Sequence, residues 1–361
     1  MATSAELAED PMVSAVTDVA AGVLLPVAEE TAQGGVPRSH LDELARIGAF
    51  GLVGYEPGAG SGVSARNVVW EAHEILSAAD PSTWFVFTQH FALVKGLLKS
   101  GNAELRERWL PMLRRGERLA TAGFAFLNHP QPPVTAEPLG DGWRLRGRVP
   151  WMTGWGIAGL AFIGAVTPDD QALFVLIDCA AQGSRLTAVD SPPLWAMNAT
   201  HTTAVELRDV VVPADEVISL EPRKAWSLAY DLENANSHPA VFGHLRSAAD
   251  YLIRSAPRAG ATYERLGHRL AEEAARLRAE AYALRDELPP EEGVEERIAI
   301  RSAVLDLGVR AATACVAATG GRAVQYGNTA GRLAREAQFH LIQAQTGQLR
   351  AETARAMLRG M

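Results

Sequence analysis

Cysteine is scarce in this sequence, since Cys179 and Cys315 are the only two among 361 residues. Two cysteines are too few for the disulfide framework of a small secreted domain. Neither of them has a His or a second Cys nearby at the spacing of metal ligands. The cysteine content therefore predicts a reducing, cytoplasmic compartment and no metal site.

Excess positive charge and long apolar runs are lacking as well. The sequence has 34 basic and 42 acidic residues and a formal net charge of -8, which argues against nucleic acid as a partner. No run of about 18 uninterrupted apolar residues occurs. The first residues, MATSAELAEDPMV, carry acids where an export signal would carry basic residues. We expect no nucleic-acid binding, no membrane span and no export.

The composition that is present is typical of a folded protein, with 48% hydrophobic and 21% charged residues. A chain of this length suits two or three packed domains. Residues 1–115 have a helical pattern, in which Ser64 or Asn67 is a candidate helix cap. Residues 116–222 carry short β-branched and aromatic runs, such as ALFVLIDC and TTAVELRDVVVP. No long helical pattern separates these runs and no GxGxxG follows them, which favours an antiparallel sheet or barrel over a nucleotide-binding parallel sheet.

Residues 223–361 return to the helical period. Two stripes of apolar residues at steps of three and four lie on either side of the LPPEEG break at residues 288–293. The first stripe consists of Leu266, Leu270, Ala274, Leu277, Ala281 and Leu284. The second consists of Val304, Leu307, Ala311, Ala314 and Ala318. Small residues on the second stripe suit close helix packing in a four-helix bundle. The predicted fold is α+β and mostly α, with an N-terminal helical domain, a central antiparallel β-domain and a C-terminal four-helix bundle.

Two local motifs add a family resemblance to this architecture. The passage LPMLRRGE places Leu110, Pro111, Gly116 and Glu117 in an "LP…GE" pattern, and RVPWMTGWGIAGLAF is similar to a "W-[IV]-[TS]-N/G" strand. With the order of the segments, they make nearly the whole chain resemble the acyl-CoA dehydrogenase superfamily. The resemblance implies an FAD cofactor whose ring lies at the junction of the domains.

Trp151 and Thr153 are the residues of that strand that the resemblance places beside the flavin. A flavin accepts hydride and is held by hydrogen bonds along one edge, for which a Thr hydroxyl and backbone N–H groups on a strand are suited. A Trp supplies an apolar wall. Outside the resemblance, both residues read as an ordinary strand Thr and a buried aromatic.

Asn128 stands where the family has the Thr of a "T-E-P" motif, ahead of the shared Pro130. The resemblance implies a hydrogen bond from Asn128 to the pyrimidine edge of the flavin. His129 replaces the Glu of the motif, and the "GSD" that follows in the family is absent. A purely structural role for Asn128 is an equal alternative.

The closing passage, at residues 318–358, resembles the family's "GG.GY…RL.RDA…I.EGT..I". Gly320 and Gly321 match its paired glycines, at which a backbone can approach a cofactor closely. Thr346 and Gln348 fall where the family contacts the adenine half of FAD. A helix C-cap is the alternative for the glycines. The family's "R..F" pair and the Gln of "Q..GG" have no counterpart here, which removes contacts to the AMP end of FAD.

The catalytic base is the main departure from the family. Many members carry a Glu two residues before the Thr of "EGT", where this chain has Ala344. A second family placement lies in an "LDLER"-like stretch, and YDLEN puts Glu233 there. The resemblance therefore implies Glu233 as the base, whose carboxyl must lose water beside the flavin to raise its pKa. A solvated acid on a helix face is the alternative.

The predicted function is α,β-dehydrogenation of an acyl thioester, carried by CoA or a carrier protein, with an electron-transfer partner. The alternative is a monooxygenase of the same fold that uses reduced flavin and O2, in which His90 or His340 serves as acid or base. A half-active subunit paired with a complete homologue is a third possibility. The family resemblance also implies a homodimer or homotetramer.

Overall fold

The first third of the protein is helical in the computed structural model, which describes residues 4–58 and 62–359. Its helices are α1 (Ser4–Ala8), α2 (Pro11–Val19), α3 (Ala28–Gly34), α4 (Arg38–Arg46), α5 (Ala65–Ala79), α6 (Pro81–Lys99) and α7 (Ala103–Arg114). Side-chain caps fix where the two central helices begin. Ser64 caps α5 by accepting from the Asn67 amide at 3.2 Å, and Asp80 caps α6 by accepting from Ser82 and Thr83 at 3.0 and 3.1 Å.

The β-domain is an eight-stranded sheet of order β6-β7-β3-β2-β4-β5-β8, with β1 paired to β4. Its strands are β1 (Ala120–Gly123), β2 (Val134–Leu139), β3 (Gly142–Met152), β4 (Leu160–Val166), β5 (Gln171–Asp178), β6 (Leu186–Val189), β7 (Thr203–Val212) and β8 (Val217–Pro222), and α8 (Cys179–Gln182) follows β5. Five strand pairs are antiparallel as predicted, whereas β1 and β2 each pair with β4 in parallel. Parallel partners need a crossover connection, which the short-range pattern of the runs does not reveal.

The last part of the chain is helical and contains the predicted bundle. Its helices are α9 (Arg223–Glu233), α10 (Pro239–Ala259), α11 (Ala261–Glu287), α12 (Val294–Thr319), α13 (Thr329–Ile342) and α14 (Gly347–Arg359). The helices α11 and α12 are joined across the predicted break, and α10 packs against both of them and against α5. The fold class is therefore confirmed. The domain boundaries at residues 115 and 222 stay predictions.

The contact between α10 and α5 is close enough to require glycine. A Cβ at Gly243 would lie 2.1 Å from Ser77 Oγ and 2.3 Å from the Glu74 carbonyl oxygen, so the backbones meet without a side chain between them. Ser77 Oγ also donates to the Ala240 carbonyl at 3.3 Å. The first helical domain and the bundle are thus in direct backbone contact at this point.

Buried ion pairs reinforce the same contact. Glu71 and Glu74 on α5 each accept hydrogen bonds from both Arg246 on α10 and Arg278 on α11, at 2.7 to 3.1 Å. The Tyr282 hydroxyl also donates to Glu74. Burial raises the pKa of Glu74, and the two arginines oppose that shift.

Two helical stretches, Pro11–Gly34 and Val294–Val324, are long and apolar enough to cross a bilayer by length and composition alone. Within their most apolar windows, 33% and 39% of the residues are buried inside the protein. Core helices of soluble proteins meet the same criterion. The absence of a membrane span therefore stays a prediction.

Candidate active site

Trp151 and Thr153 lie at the end of β3, where the strand separates from its partner. The pairing of β3 with β7 shifts register between Val149 and Met152, and this irregularity leaves Trp151 unpaired. Its indole is 64% exposed, whereas the Thr153 side chain is buried. An exposed indole at this position offers a flat apolar face to a ligand.

The Thr153 hydroxyl belongs to a chain of hydroxyl groups whose direction can be worked out. Thr200 Oγ1 donates to the Met197 carbonyl at 2.7 Å, so Thr202 Oγ1, 2.7 Å away, must donate to Thr200. Thr153 Oγ1, 2.7 Å from Thr202, must then donate to Thr202. The only hydroxyl proton of Thr153 is therefore used within the protein. Towards a ligand, this hydroxyl can accept a hydrogen bond but cannot donate one.

Asn128 joins the short turn Ala125–Asn128 to helix α9. Its Nδ2 donates to Asp231 at 3.2 Å, and its Oδ1 accepts from the Ser227 hydroxyl at 2.5 Å. Burial raises the pKa of Asp231, and the bond from Asn128 opposes that shift. Both ends of the Asn128 amide thus have protein partners. This favours the structural alternative, although the carbonyl oxygen retains a second lone pair.

Glu233 is the last residue of α9, and its side chain is 71% exposed. Lys95 Nζ on α6 lies 3.5 Å from Glu233 Oε1, an exposed ion pair that contributes little to stability. Ala344 lies in the loop between α13 and α14 and has a φ of 48°, in the left-handed region. The proposed base is therefore a solvated carboxylate in this structure, and its catalytic role stays a prediction.

A buried arginine holds the Glu233 and Ala344 segments together. Arg301 on α12 donates to the carbonyl of Asn234, the residue after Glu233, and to the carbonyls of Gln343 at 2.9 Å and Ala344 at 3.3 Å. Burial lowers the pKa of Arg301 to about 10. The two segments, which are far apart in sequence, are therefore adjacent in space.

Sequence reasoning missed Arg301. The available signal was its position on the apolar face of α12, three residues after Ile298 and three before Val304, both of which are buried. A charged residue on such a stripe is almost never buried without partners. Which partners it has depends on two loops that only the tertiary structure brings to α12.

Trp84 of α6 lies in a cluster of imidazoles that come from α5, α10 and α13 and from the residue before α10. Trp84 Nε1 donates to His73 Nδ1 at 3.1 Å, and the Trp84 ring lies 5.4 Å from His238 and 6.4 Å from His340. His244 lies 5.5 Å from His340. All four histidines belong to the helical domains that enclose the site. Burial lowers each of their pKa values well below 6.5.

The two histidines considered as acid or base are neutral at physiological pH. His340 belongs to this cluster, while His90 faces a cavity of about 10 Å³ that Thr153 also lines. Burial lowers the pKa of both to about 4. Each can act as a base only against a strong acid, and their assignment in the monooxygenase alternative stays a prediction.

The four C-terminal residues assigned to FAD are placed at two helix ends. Gly320, with a φ of 71°, ends α12, and a Cβ at Gly320 or Gly321 would meet no atom within 4 Å. Thr346 Oγ1 accepts from the Leu349 amide at 3.2 Å and so caps α14, while Gln348 is exposed. In the described part of the chain, no hydrogen bond joins these residues to Trp151, Thr153 or Asn128.

Residues 4–58 and 62–359 contain no group of three His, Cys, Asp or Glu side chains suited to a metal ion.

Residues 8–117 match the family described as acyl-CoA dehydrogenase, N-terminal domain. This match covers the N-terminal helices and ends just before β1. A comparison with curated protein sequences found no match.

The whole chain has the acyl-CoA dehydrogenase fold. It is similar to butyryl-CoA dehydrogenase from Megasphaera elsdenii, with a TM-score of 0.80 at 17% identity over 99% of this chain and 100% of that one. Glutaryl-CoA dehydrogenase from Mycobacterium smegmatis in complex with FADH2 gives 0.78 at 18% identity, over 100% and 96% of the chains.

One protein whose structure is similar to this chain is named for another reaction. Dibenzothiophene monooxygenase from Paenibacillus sp. A11-2 gives a TM-score of 0.74 at 18% identity, over 97% of both chains. The acyl-CoA dehydrogenase fold thus carries both candidate reactions, and identities this low decide the fold alone. The choice between the reactions depends on the residues of the site.

Proposed function

We propose that this protein is an FAD-dependent oxidoreductase that removes the α-proton and the β-hydride of an acyl thioester. The observation that carries the proposal is the anchoring of two segments by Arg301, which donates to the Asn234 and Ala344 carbonyls. Since the Ala344 segment lacks a carboxylate, Glu233 on the adjacent segment takes over the role of base. The acyl carrier, CoA or a carrier protein, and the electron acceptor belong to this proposal.

The residues of the site fit a flavin along its ring. Trp151 presents an exposed apolar face, and Thr153 presents hydroxyl lone pairs to a ring N–H. Gly320 and Gly321 leave open space at their Cα atoms, so a phosphate can approach the backbone, and Gln348 is free of intramolecular hydrogen bonds within the described residues. Bound FAD would supply the hydride acceptor.

Proton removal is the step that this chain must perform itself. The thioester carbonyl acidifies the α-position, and Glu233 would take the proton on its carboxylate. Lys95 Nζ lies 3.5 Å from Glu233 Oε1 and orients the carboxylate towards α6.

We expect Glu233→Gln to lower the rate of thioester-driven flavin reduction about a hundredfold or more, because the amide keeps the size of the side chain but cannot accept the proton. Anaerobic bleaching of the flavin absorbance by a panel of acyl-CoA thioesters measures this rate. Glu287→Gln is the matched control, since Glu287 is also an exposed carboxylate at the last residue of a helix, α11. Equal bleaching rates for Glu233→Gln and the wild type would remove Glu233 from the mechanism.

The monooxygenase reaction is the second candidate, and the exposure of Glu233 together with the missing carboxylate at Ala344 favours it. The same protein samples distinguish the dehydrogenase reaction from the monooxygenase reaction. If no thioester bleaches the wild-type flavin, while reduced flavin supplied to the protein reacts with O2 and consumes a substrate, the monooxygenase replaces the dehydrogenase. If the purified chain retains no flavin by itself, a half-active subunit in a heteromer is the third candidate.

The proposed assembly is a homodimer or homotetramer in the cytoplasm. Val304, Leu307 and Ala311 of the predicted stripe are buried inside the protein, so the face left for a second copy is the outer one, which carries the small residues Ala299, Ala303 and Ala317. Such a face allows close helix packing against a second copy. Light scattering at micromolar concentration tests the proposal, and a monomeric mass with flavin bound contradicts it. The free thiols of Cys179 and Cys315 are in keeping with a reducing compartment.

A further inference from the structure

A cavity of about 210 Å³ lies where the three parts of the chain meet, away from the segments that Arg301 anchors. One side is formed by Ala32, Gln33 and Ser82 of the N-terminal helices, and the opposite side by the start of α13 and the residues before it. The β6–β7 loop, at residues 193–198, closes the third side. An apolar cavity of about 150 Å³ is known to hold benzene, so this volume suits a single ring with a small substituent.

Two aromatic rings line the cavity from different segments. Trp195 of the β6–β7 loop is 66% exposed, and Tyr326, which precedes α13, is 83% exposed. These rings offer flat faces against which a planar ligand packs at a low cost in side-chain entropy.

The charges in the cavity leave one cation for a ligand. The charge of Arg332 is compensated within the protein, because Arg332 donates to Glu29 and to Glu336, each at 2.7 Å. Arg335 lies 5.6 Å from the centre of the Tyr326 ring, and no carboxylate of residues 4–58 or 62–359 forms a salt bridge with it. The ionisable side chains that line the cavity are therefore two arginines and one glutamate, with Arg335 the unpaired one. A guanidinium in this position binds a carboxylate or a phosphate.

The loop that carries Trp195 is held in place from both ends. Asn198 Oδ1 accepts from the Leu194 amide at 2.9 Å, and the Ala199 carbonyl accepts from the Val36 amide of the N-terminal domain at 2.9 Å. Met197 has a φ of 57°, a conformation that costs energy for a non-glycine residue. The cavity wall is thus organised before any ligand binds, which lowers the entropy cost of binding.

We propose that this cavity is a binding site for a single-ring aromatic anion, with its acid group on Arg335 and its ring against Trp195 and Tyr326. The site is independent of the proposed oxidoreductase reaction. Its ligand is recognised by the joint presence of a ring and a negative charge. Neither part alone is expected to bind well.

Isothermal titration calorimetry of the full chain tests the proposal with four probes, namely benzoate, phenyl phosphate, benzyl alcohol and inorganic phosphate. We expect benzoate or phenyl phosphate to bind with a Kd of about 1 mM or below, and the neutral ring and the free phosphate to bind at least tenfold more weakly. The better of the two anions then identifies the acid group of the natural ligand. No saturation by either aromatic anion, or equal binding of benzyl alcohol, would overturn the proposal.

Two variants locate the binding. Arg335→Gln removes the positive charge, and Trp195→Ala removes one of the two rings. Each variant should weaken binding of the aromatic anion about tenfold. Both positions lie outside the buried core, so we expect both variants to fold. Arg254→Gln, which removes a charge from an exposed position on α10, is the matched control and should bind as the wild type does. Unchanged affinity in Arg335→Gln would place the anion elsewhere and refute the assignment. Flavin absorbance recorded during the titration separates this site from the flavin site, since binding here should leave it unchanged.

Discussion

Acidification from pH 7 to pH 5 should destabilise this protein by several kilocalories per mole. The cause is a set of imidazoles that the fold keeps neutral. Burial lowers the pKa of His73 and His244 to about 3 and that of His90 and His340 to about 4. Nearby charges add to the effect, since Lys95 lowers the pKa of His73, and Arg332, with the neighbouring His340, lowers that of His244.

The sign of the effect follows from the difference between the folded and unfolded states. An unfolded histidine takes up a proton near pH 6.5, while these folded ones do not until pH 4 or 3, so the unfolded state binds more protons between those values. Their full contribution to stability is present above pH 6.5 and is lost as the pH falls towards the folded pKa. At pH 5 each of the four costs about 2 kcal/mol, a large part of a stability of about 5 to 15 kcal/mol when summed. Glu74 and Glu336, whose pKa values burial raises, offset part of this loss at the acid end of the range.

Urea unfolding at pH 7, 6 and 5 measures the loss as a fall in the free energy of unfolding. His90→Gln keeps an acceptor for the Ala120 amide, which bonds His90 Nδ1 at 3.3 Å, but removes one titrating group. The loss from pH 7 to pH 5 should therefore be about 2 kcal/mol smaller in this variant. His268→Gln, at an exposed position on α11, should leave the loss unchanged. Identical pH profiles for His90→Gln and the wild type would mean that His90 titrates normally in the folded protein.

Arg301→Met should lower the free energy of unfolding by about 3 kcal/mol, since it leaves three partly buried carbonyls without their donor at about 1 kcal/mol each. Methionine fills much of the space of the arginine stem, so the loss reflects the hydrogen bonds more than a cavity. Arg310→Met is the matched control on the same helix, because Arg310 is exposed and pairs only with Asp306 at 2.9 Å. That control should stay within about 0.5 kcal/mol of the wild type.

The same variant tests whether Arg301 organises the site. Without it, the Asn234 and Ala344 segments lose their common anchor, and thioester-driven flavin reduction should fall together with stability. Arg301→Lys restores the charge but supplies one donor group for three carbonyls, so it should recover only part of either loss. If Arg301→Met unfolds at the same urea concentration as the wild type, the hydrogen bonds to these carbonyls do not stabilise the folded state.

The architecture was accessible from the sequence because it depends on local patterns. The apolar stripes from Leu266 to Ala318 predicted α11 and α12, and the short runs after Gly116 predicted the strands. The parallel pairing of β1 with β4 was not accessible, since it joins Ala120 to Leu160 across 40 residues that carry no signal of it. Local patterns fix the elements, while long-range pairing depends on how the elements pack.

In the candidate site, too, local sequence patterns located residues, while their contacts depend on long-range packing. The motifs located Trp151, Thr153 and Glu233, and their roles stay predictions. The direction of the Thr153 hydroxyl was not accessible, because it is set by Thr200 and Thr202 in another part of the β-domain. The four clustered histidines come from three separated segments, and each one alone looks ordinary.

Gly243 has a consequence for how the protein responds to mechanical and proteolytic stress. With α10 and α5 in backbone contact there, neither helical domain can loosen without exposing the buried Glu74 and its arginine partners. The chain order of helices, sheet and helices therefore does not correspond to three independently melting units. The first and last segments are held together at this contact, and the β-domain lies between them in the sequence.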